Sequence, residues 1–224
     1  MSERQSRMLP EPEAAALLGT YGIAYPAHAY VLNEAEAVKA AERLGFPVVL
    51  KVVSPDAMHK SDVGGVAVSI QGTDGVEPAY EAIVQSVRSH VPDARILGML
   101  VCQQAQPGLE VIVGGLQDAM FGPALMFGLG GIFAEVLEDV TFRIVPIERL
   151  DAQEMIREIR GYPLLAGTRG HAGYDVEALV DLLLAVSRLM AERSEIQELD
   201  LNPVRLYERG ALALDARVLL AERA

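Results

Sequence analysis

The sequence predicts an α+β fold rather than a clean parallel α/β sheet. Three observations lead there. Short β-branched runs bounded by Pro and Gly alternate irregularly with segments that are apolar at helical spacing. The closing stretch ELDLNPVRLYERGALALDARV reads as an antiparallel hairpin. The chain has 224 residues, 51% of them hydrophobic, enough to bury a sizeable core.

The elements follow in order. Residues 1–10 are expected to be a loose N-terminal arm. Glu11 to Leu18 is apolar at helical spacing and should end at Gly19 and Gly22. Asn33 is a candidate N-cap for a helix to Leu44, with Glu36 three residues on and Gly45 as terminator. FPVVLKVVSP (46–55) and GGVAVSI (64–70) read as strands, the first buried, and Val76 to His90 as a helix. ILGMLVCQQ (96–104), LEVIVGGLQ (109–117) and PALMFGLGG (123–131) read as further strands, the last running into a glycine loop. Ala152–Arg160 and Val176–Arg193 are predicted helices.

The formal net charge is -12, with 19 Lys+Arg against 31 Asp+Glu. A field of that sign repels nucleic acid and anionic lipid, so a phosphate ligand needs local cations and backbone N–H groups. The single cysteine, Cys102, rules out an internal disulfide and fits a reducing compartment. The start MSERQSRMLPEPEA lacks the apolar stretch of a signal peptide, and no apolar run reaches the length of a membrane span. A cytoplasmic location is expected.

Lys51 lies on a predicted strand with Val49 and Val53 on its own face and Val48, Leu50 and Val52 on the other. A lysine there needs an anion, because an unpaired buried charge is costly. A phosphate oxygen would serve; so would a carboxylate, or the side chain could snorkel to water. Between two strands stands His59-Lys60-Ser61-Asp62-Val63-Gly64-Gly65-Val66. Gly64 and Gly65 would let backbone N–H groups approach a phosphate, and His59 is a competent phosphoryl acceptor. The alternative is a glycine turn with exposed polar residues.

If the hairpin turn is centred on Glu208-Arg209, Asn202 falls opposite Asp215 and Asp200 opposite Arg217. Glu198, Asp200, Asn202, Asp215 and Arg217 then share one face, and Leu199, Leu201, Leu212, Leu214 and Val218 form the core face. Opposed Cβ atoms stand about 4.5–5.5 Å apart, close enough for an amide oxygen and a carboxylate to share one hard cation. The alternative is a half-exposed hairpin with an Asp–Arg surface pair. Gly130 and Gly131 could cradle a phosphate or turn a corner, with Glu135 following them. Arg143 and Arg169 are phosphate contacts or satisfied surface charges. His171 is read as an incidental loop residue, and Cys102 as packing at a strand end.

Taken together, LKVVSPDAMHKSDVGGV, GLEVIVGGLQDAMFGP, MFGLGGIFAEVLEDVTFRIVP, GYPLLAGTRG and ELDLNPV…ALDARV resemble, in that order, the ATP-grasp domain of ADP-forming acyl-CoA (acetate–CoA) synthetases. That domain is often a separate beta subunit. The likeness runs from about Glu11 to Leu220; a more distant one exists to the beta subunit of succinyl-CoA synthetase. The resemblance implies one ATP-grasp domain over 11–224. Its two α+β lobes, about 11–101 and about 102–224, would grip ATP or ADP. It implies that Lys51 contacts nucleotide phosphates, that Asn202 and Asp215 bind Mg2+, that Glu110 lies near the ribose, and that His59 is a second phosphoryl carrier. Cys102, Gln103 and Gln104 match the hinge that meets adenine, where the family pattern is commonly Gln-Glu-Met; the departure removes a carboxylate. The implied reaction is acyl-CoA + ADP + phosphate ⇌ acid + CoA + ATP. A CoA-binding alpha subunit would carry the first phosphohistidine, making a hetero-oligomer. The other readings are the beta component of a succinate- or malate-type CoA ligase, and a non-catalytic nucleotide-binding regulatory module.

Overall fold

A computed structural model describes residues 6–57, 59–131, 139–167 and 172–221. In chain order its elements begin β1 (Ser6–Met8), α1 (Glu11–Thr20), β2 (His28–Val31), α2 (Glu34–Leu44), β3 (Val48–Val53), β4 (Val66–Ile70) and α3 (Val76–His90). Then come β5 (Gly98–Gln103), β6 (Leu109–Asp118), β7 (Gly122–Leu129), β8 (Val140–Ile144), α4 (Arg149–Glu158), α5 (Tyr162–Ala166) and α6 (Val176–Glu192). The hairpin closes the chain as β9 (Ile196–Leu206), β10 (Ala211–Ala213) and β11 (Arg217–Ala221). None of the described helices is long and apolar enough to cross a membrane.

Every strand pairing among the described residues is antiparallel, and the strands form two sheets. One runs β1-β11-β9-β6-β7-β8, with β10 also on β9; the other runs β2-β5-β3-β4. The chain divides into two units to match. The larger holds Met1–Leu9, Glu13–Tyr25 and Pro107–Ala224; the smaller holds Pro10–Pro12 and Pro26–Gln106. The boundary therefore differs from the sequence expectation of a first lobe over about 11–101. From Glu13 on, α1 belongs with the later residues, because Ala14 and Leu18 are fully buried in the larger core.

The loose arm expected through residue 10 is corrected as well. Ser6, Arg7 and Met8 pair with Ala221, Leu220 and Leu219, and Leu9 N–H donates to the Val218 carbonyl at 2.8 Å. The edge of β11 offers backbone groups that need partners, and composition does not report such long-range pairing.

In the smaller unit α2 and α3 cover one sheet face, burying Ala37, Ala41, Ile83 and Val87 against Val48, Leu50 and Val52. Asn33 caps α2 as expected, its Oδ1 accepting from Glu36 N–H at 2.9 Å. The Glu36 carboxylate reaches one residue further back than a capping box requires, to Leu32 N–H at 2.8 Å. Gly45 ends the helix at φ 82°. In the larger unit α4 and α6 pack on the sheet, with Phe127, Leu183 and Val186 fully buried.

The hairpin has the register predicted for it. Arg217 pairs with Asp200, and Ala211, Leu212 and Ala213 pair with Leu206, Arg205 and Val204. Leu214 N–H donates to the Pro203 carbonyl at 2.9 Å, which carries that register past Asn202 and Asp215. The core face is partly corrected. Leu199, Leu201 and Val218 are buried, but Leu212 and Leu214 are only half-buried, and Ala213 and Ala216 fill the core beside Val204 and Leu206. The reason is an irregularity between β9 and β6: Val111 pairs with Val204 while Val113 pairs with Leu201. One extra residue of β9 at Asn202-Pro203 exchanges the inner and outer faces along the strand.

Candidate nucleotide and metal site

Lys51 sits mid-sheet, paired in register with Leu100 of β5 and Val66 of β4. Its Nζ donates to Glu11 Oε1 at 2.7 Å, and Lys60 Nζ stands 3.0 Å from Glu11 Oε2. The side chains are 10%, 9% and 3% exposed for Lys51, Lys60 and Glu11. Of the partners open at the sequence level, the structure shows a carboxylate. Deleting one member of such a buried pair typically costs about 3–5 kcal/mol, because the other charge stays behind.

The turn after β3 is closed by its own backbone. Gly64 N–H donates to the Ser61 carbonyl at 3.2 Å and Gly65 N–H to the Lys60 carbonyl at 2.6 Å. Both donors are thus engaged inside the turn. These glycines are required for space: Gly64 has φ 63° and packs on Ser86 Oγ, and a Cβ on Gly65 would stand 2.6 Å from Val52 Cγ1. The fold leaves His59 exposed beside buried Lys60.

At the end of β5, Cys102 is buried, as its packing role requires. Gln103 is exposed and its N–H donates to the Ala27 carbonyl at 2.8 Å. The Gln104 side chain is occupied: Oε1 accepts from Ser69 N–H at 2.6 Å and Nε2 donates to Ser69 Oγ at 3.2 Å. That double contact holds Ser69 at φ 59°, a conformation non-glycine residues seldom adopt.

In the larger unit Glu110, Gly130 and Gly131 come together. Gly130 N–H donates to the Glu110 carbonyl at 2.8 Å, so this donor too is used within the fold. Gly131, at φ 62°, stands beside the Glu110 carboxylate. Glu110 is ion-paired with Arg205, its register partner on β9. Sequence reading missed Arg205, because the pairing of β6 with β9 joins segments almost a hundred residues apart.

Arg143 is a satisfied charge. It grips both carboxylate oxygens of Glu158, at 2.5 and 2.9 Å. The guanidinium holds the Glu158 carboxyl below the usual carboxylate range, and the hydrogen bond in turn raises the pKa of Arg143. Arg169, Glu135 and His171 lie outside the described residues.

Asn202 is exposed and Asp215 half-buried, and Asp215 Oδ1 accepts from Ala216 N–H at 2.9 Å. Asn202 lines a cavity of about 400 Å³, with Glu198 and Asp200 on its polar side and Met126 and Phe142 on its apolar side. Asp200 lies 3.9 Å from Arg217 Nη1. Among the described residues there is no cluster of three or more His, Cys, Asp or Glu side chains poised around a common ion. An amide oxygen and a carboxylate nevertheless suit Mg2+, which takes one or two protein oxygens and completes its octahedron with water and phosphate.

Residues 1–220 match the ATP-grasp domain family. The chain is 48% identical over 219 residues to the acetate–CoA ligase (ADP-forming) I subunit beta of Pyrococcus furiosus, covering 98% of this chain and 94% of that one. It is 47% identical over 210 residues to acetate–CoA ligase (ADP-forming) I of Archaeoglobus fulgidus, covering 94% of this chain but 30% of that longer protein. Among solved structures it superposes with TM-score 0.93 and 46% identity on an acetyl-coenzyme A synthetase 1 of Ca. Korarchaeum cryptofilum bound to coenzyme A, Ca-AMPCP and HgCl+, covering 96% and 93% of the two chains. Another state of that protein, with coenzyme A and Mg-AMPPCP and its phosphohistidine segment pointing towards the nucleotide site, matches with TM-score 0.82 and 42% identity over the same shares. The chain therefore belongs to the ATP-grasp family, as a ligase component of the kind that forms the beta subunit of ADP-forming acetate–CoA ligases.

Proposed function

We propose that this subunit moves a phosphoryl group between a phosphohistidine and ADP/ATP, the nucleotide half of acyl-CoA + ADP + phosphate ⇌ acid + CoA + ATP. A CoA-binding alpha partner supplies the first phosphohistidine, and activity requires the resulting hetero-oligomer. Two features of the relatives support a partner: one is named a subunit, and another carries this domain as 30% of a longer protein. The observation that carries the reading is the hairpin register, which sets Asn202 opposite Asp215.

In the transfer step the N–P bond of phosphohistidine breaks as a terminal oxygen of ADP bonds to phosphorus, and the imidazole leaves with the electron pair. His59, exposed at its turn, takes the phosphoryl group from the partner and passes it on. Lys51 neutralises charge on the phosphates. Asn202 and Asp215 would hold Mg2+, which when bound neutralises and orients phosphate oxygens. Glu110 and the end of β5, Cys102 to Gln104, hold the nucleoside. His59→Ala should abolish turnover of the assembled enzyme while leaving Mg-ATP binding nearly intact. Full turnover by that variant in a coupled CoA-release assay would remove the relay.

A further inference from the structure

Glu11 is the most buried charged group among the described residues, and nothing in the proposed chemistry uses it. It opens α1, forty residues before Lys51 and in another element. Its two oxygens are divided: Oε1 lies 2.7 Å from Lys51 and Oε2 3.0 Å from Lys60. A carboxylate that only neutralised one lysine would turn both oxygens to it or leave one in water. Here the carboxylate is a brace, tying the ammonium of β3 to that of the turn carrying His59.

We infer that Glu11 is a positioning residue for nucleotide binding, fixing the Lys51 ammonium by bridging it to Lys60. This rests on the reading of Lys51 as a phosphate contact. A lysine's four-carbon stem is flexible, and an ammonium immobilised beforehand loses less freedom when a phosphate arrives. Sharing matters too. Within the triad two positive charges meet one negative charge, so a phosphate is still attracted to Lys51 while Glu11 stays in place. Were Lys60 removed, the whole carboxylate would close on Lys51 and compete with the phosphate.

The test measures Mg-ADP affinity by calorimetry and Tm by scanning calorimetry on the full chain. Lys51→Met should lose affinity about tenfold or more, and Glu11→Gln and Lys60→Met about tenfold each. Glu11→Gln leaves two buried ammoniums and risks unfolding. Lys60→Met keeps a one-to-one pair, so it carries the decision if Glu11→Gln does not fold. Lys60→Arg, which can again reach Glu11, should return to within about threefold of the native affinity. A purely structural brace would lower Tm and leave affinity alone. If Lys51→Met binds Mg-ADP normally, the phosphate reading itself fails, and the inference with it. If Lys51→Met is impaired but folded Lys60→Met binds normally, or Lys60→Arg brings no recovery, only the role of Glu11 is overturned.

Discussion

In the smaller unit the groups of interest are buried: Lys51, Lys60 and Glu11 are each at most a tenth exposed and ion-paired with one another. In the larger unit Asn202 is exposed, Asp215 is half-buried, and Glu198 and Asp200 line an open cavity. The first arrangement is prepaid electrostatics, in which charge is desolvated and paired during folding. The second keeps oxygen donors within reach of solvent. A cation in a sheet core signals a required partner without naming it, whereas a hairpin names its own partners through its turn.

Core packing should show the largest effect. Phe127→Ala, which empties the centre of the larger unit, should cost about 3–5 kcal/mol in denaturant unfolding. A loss below about 1 kcal/mol would mean that this ring does not support the sheet presenting the hairpin. Next comes the open site: Asp215→Ala should weaken Mg-dependent nucleotide binding about tenfold, or ~1.4 kcal/mol. Unchanged metal dependence would erase the contrast by taking the hairpin out of binding. In the smaller unit Asn33→Ala should cost about 1 kcal/mol through loss of the α2 cap, with nucleotide affinity kept.

The smallest effect belongs to an exposed pair, a control for the buried triad. Arg95 holds the Asp56 carboxyl at about 2, against an ordinary 3.8, through hydrogen bonds from its side chain and backbone. The folded pKa is depressed, so this contribution is present above about pH 3.8 and fades as pH falls towards 2. Arg95→Ala should flatten stability against pH in that window and leave it unchanged near neutrality. An identical acid-unfolding curve would show that the pair adds nothing.

Much of this was legible in the sequence, and the exceptions share a cause. The helix Val76–His90 and the hairpin register come from local pattern, because turn geometry and 3.6-residue periodicity act over short separations. The Glu11–Lys51 and Glu110–Arg205 pairs did not show, since each joins elements that only tertiary pairing brings together. The four-residue strand His28–Val31 has too few residues to display a period. Gly64, Gly65 and Gly130 stand out in the sequence, and what only the structure adds is their local part in clearance and turn closure.

The additional residue at Asn202-Pro203 makes the closing strand a splice between two opposite alternations, one written before it and one after. Such a strand tolerates exchange of letters far better than a change in their number. Deleting a single position there would keep the pairs next to the turn but slide the rest of β9 along β11, setting Leu199 opposite Arg217 instead of Val218. Comparisons among variants of this chain should therefore find the spacing from Leu201 to Val204 held more strictly than the identity of any residue within it.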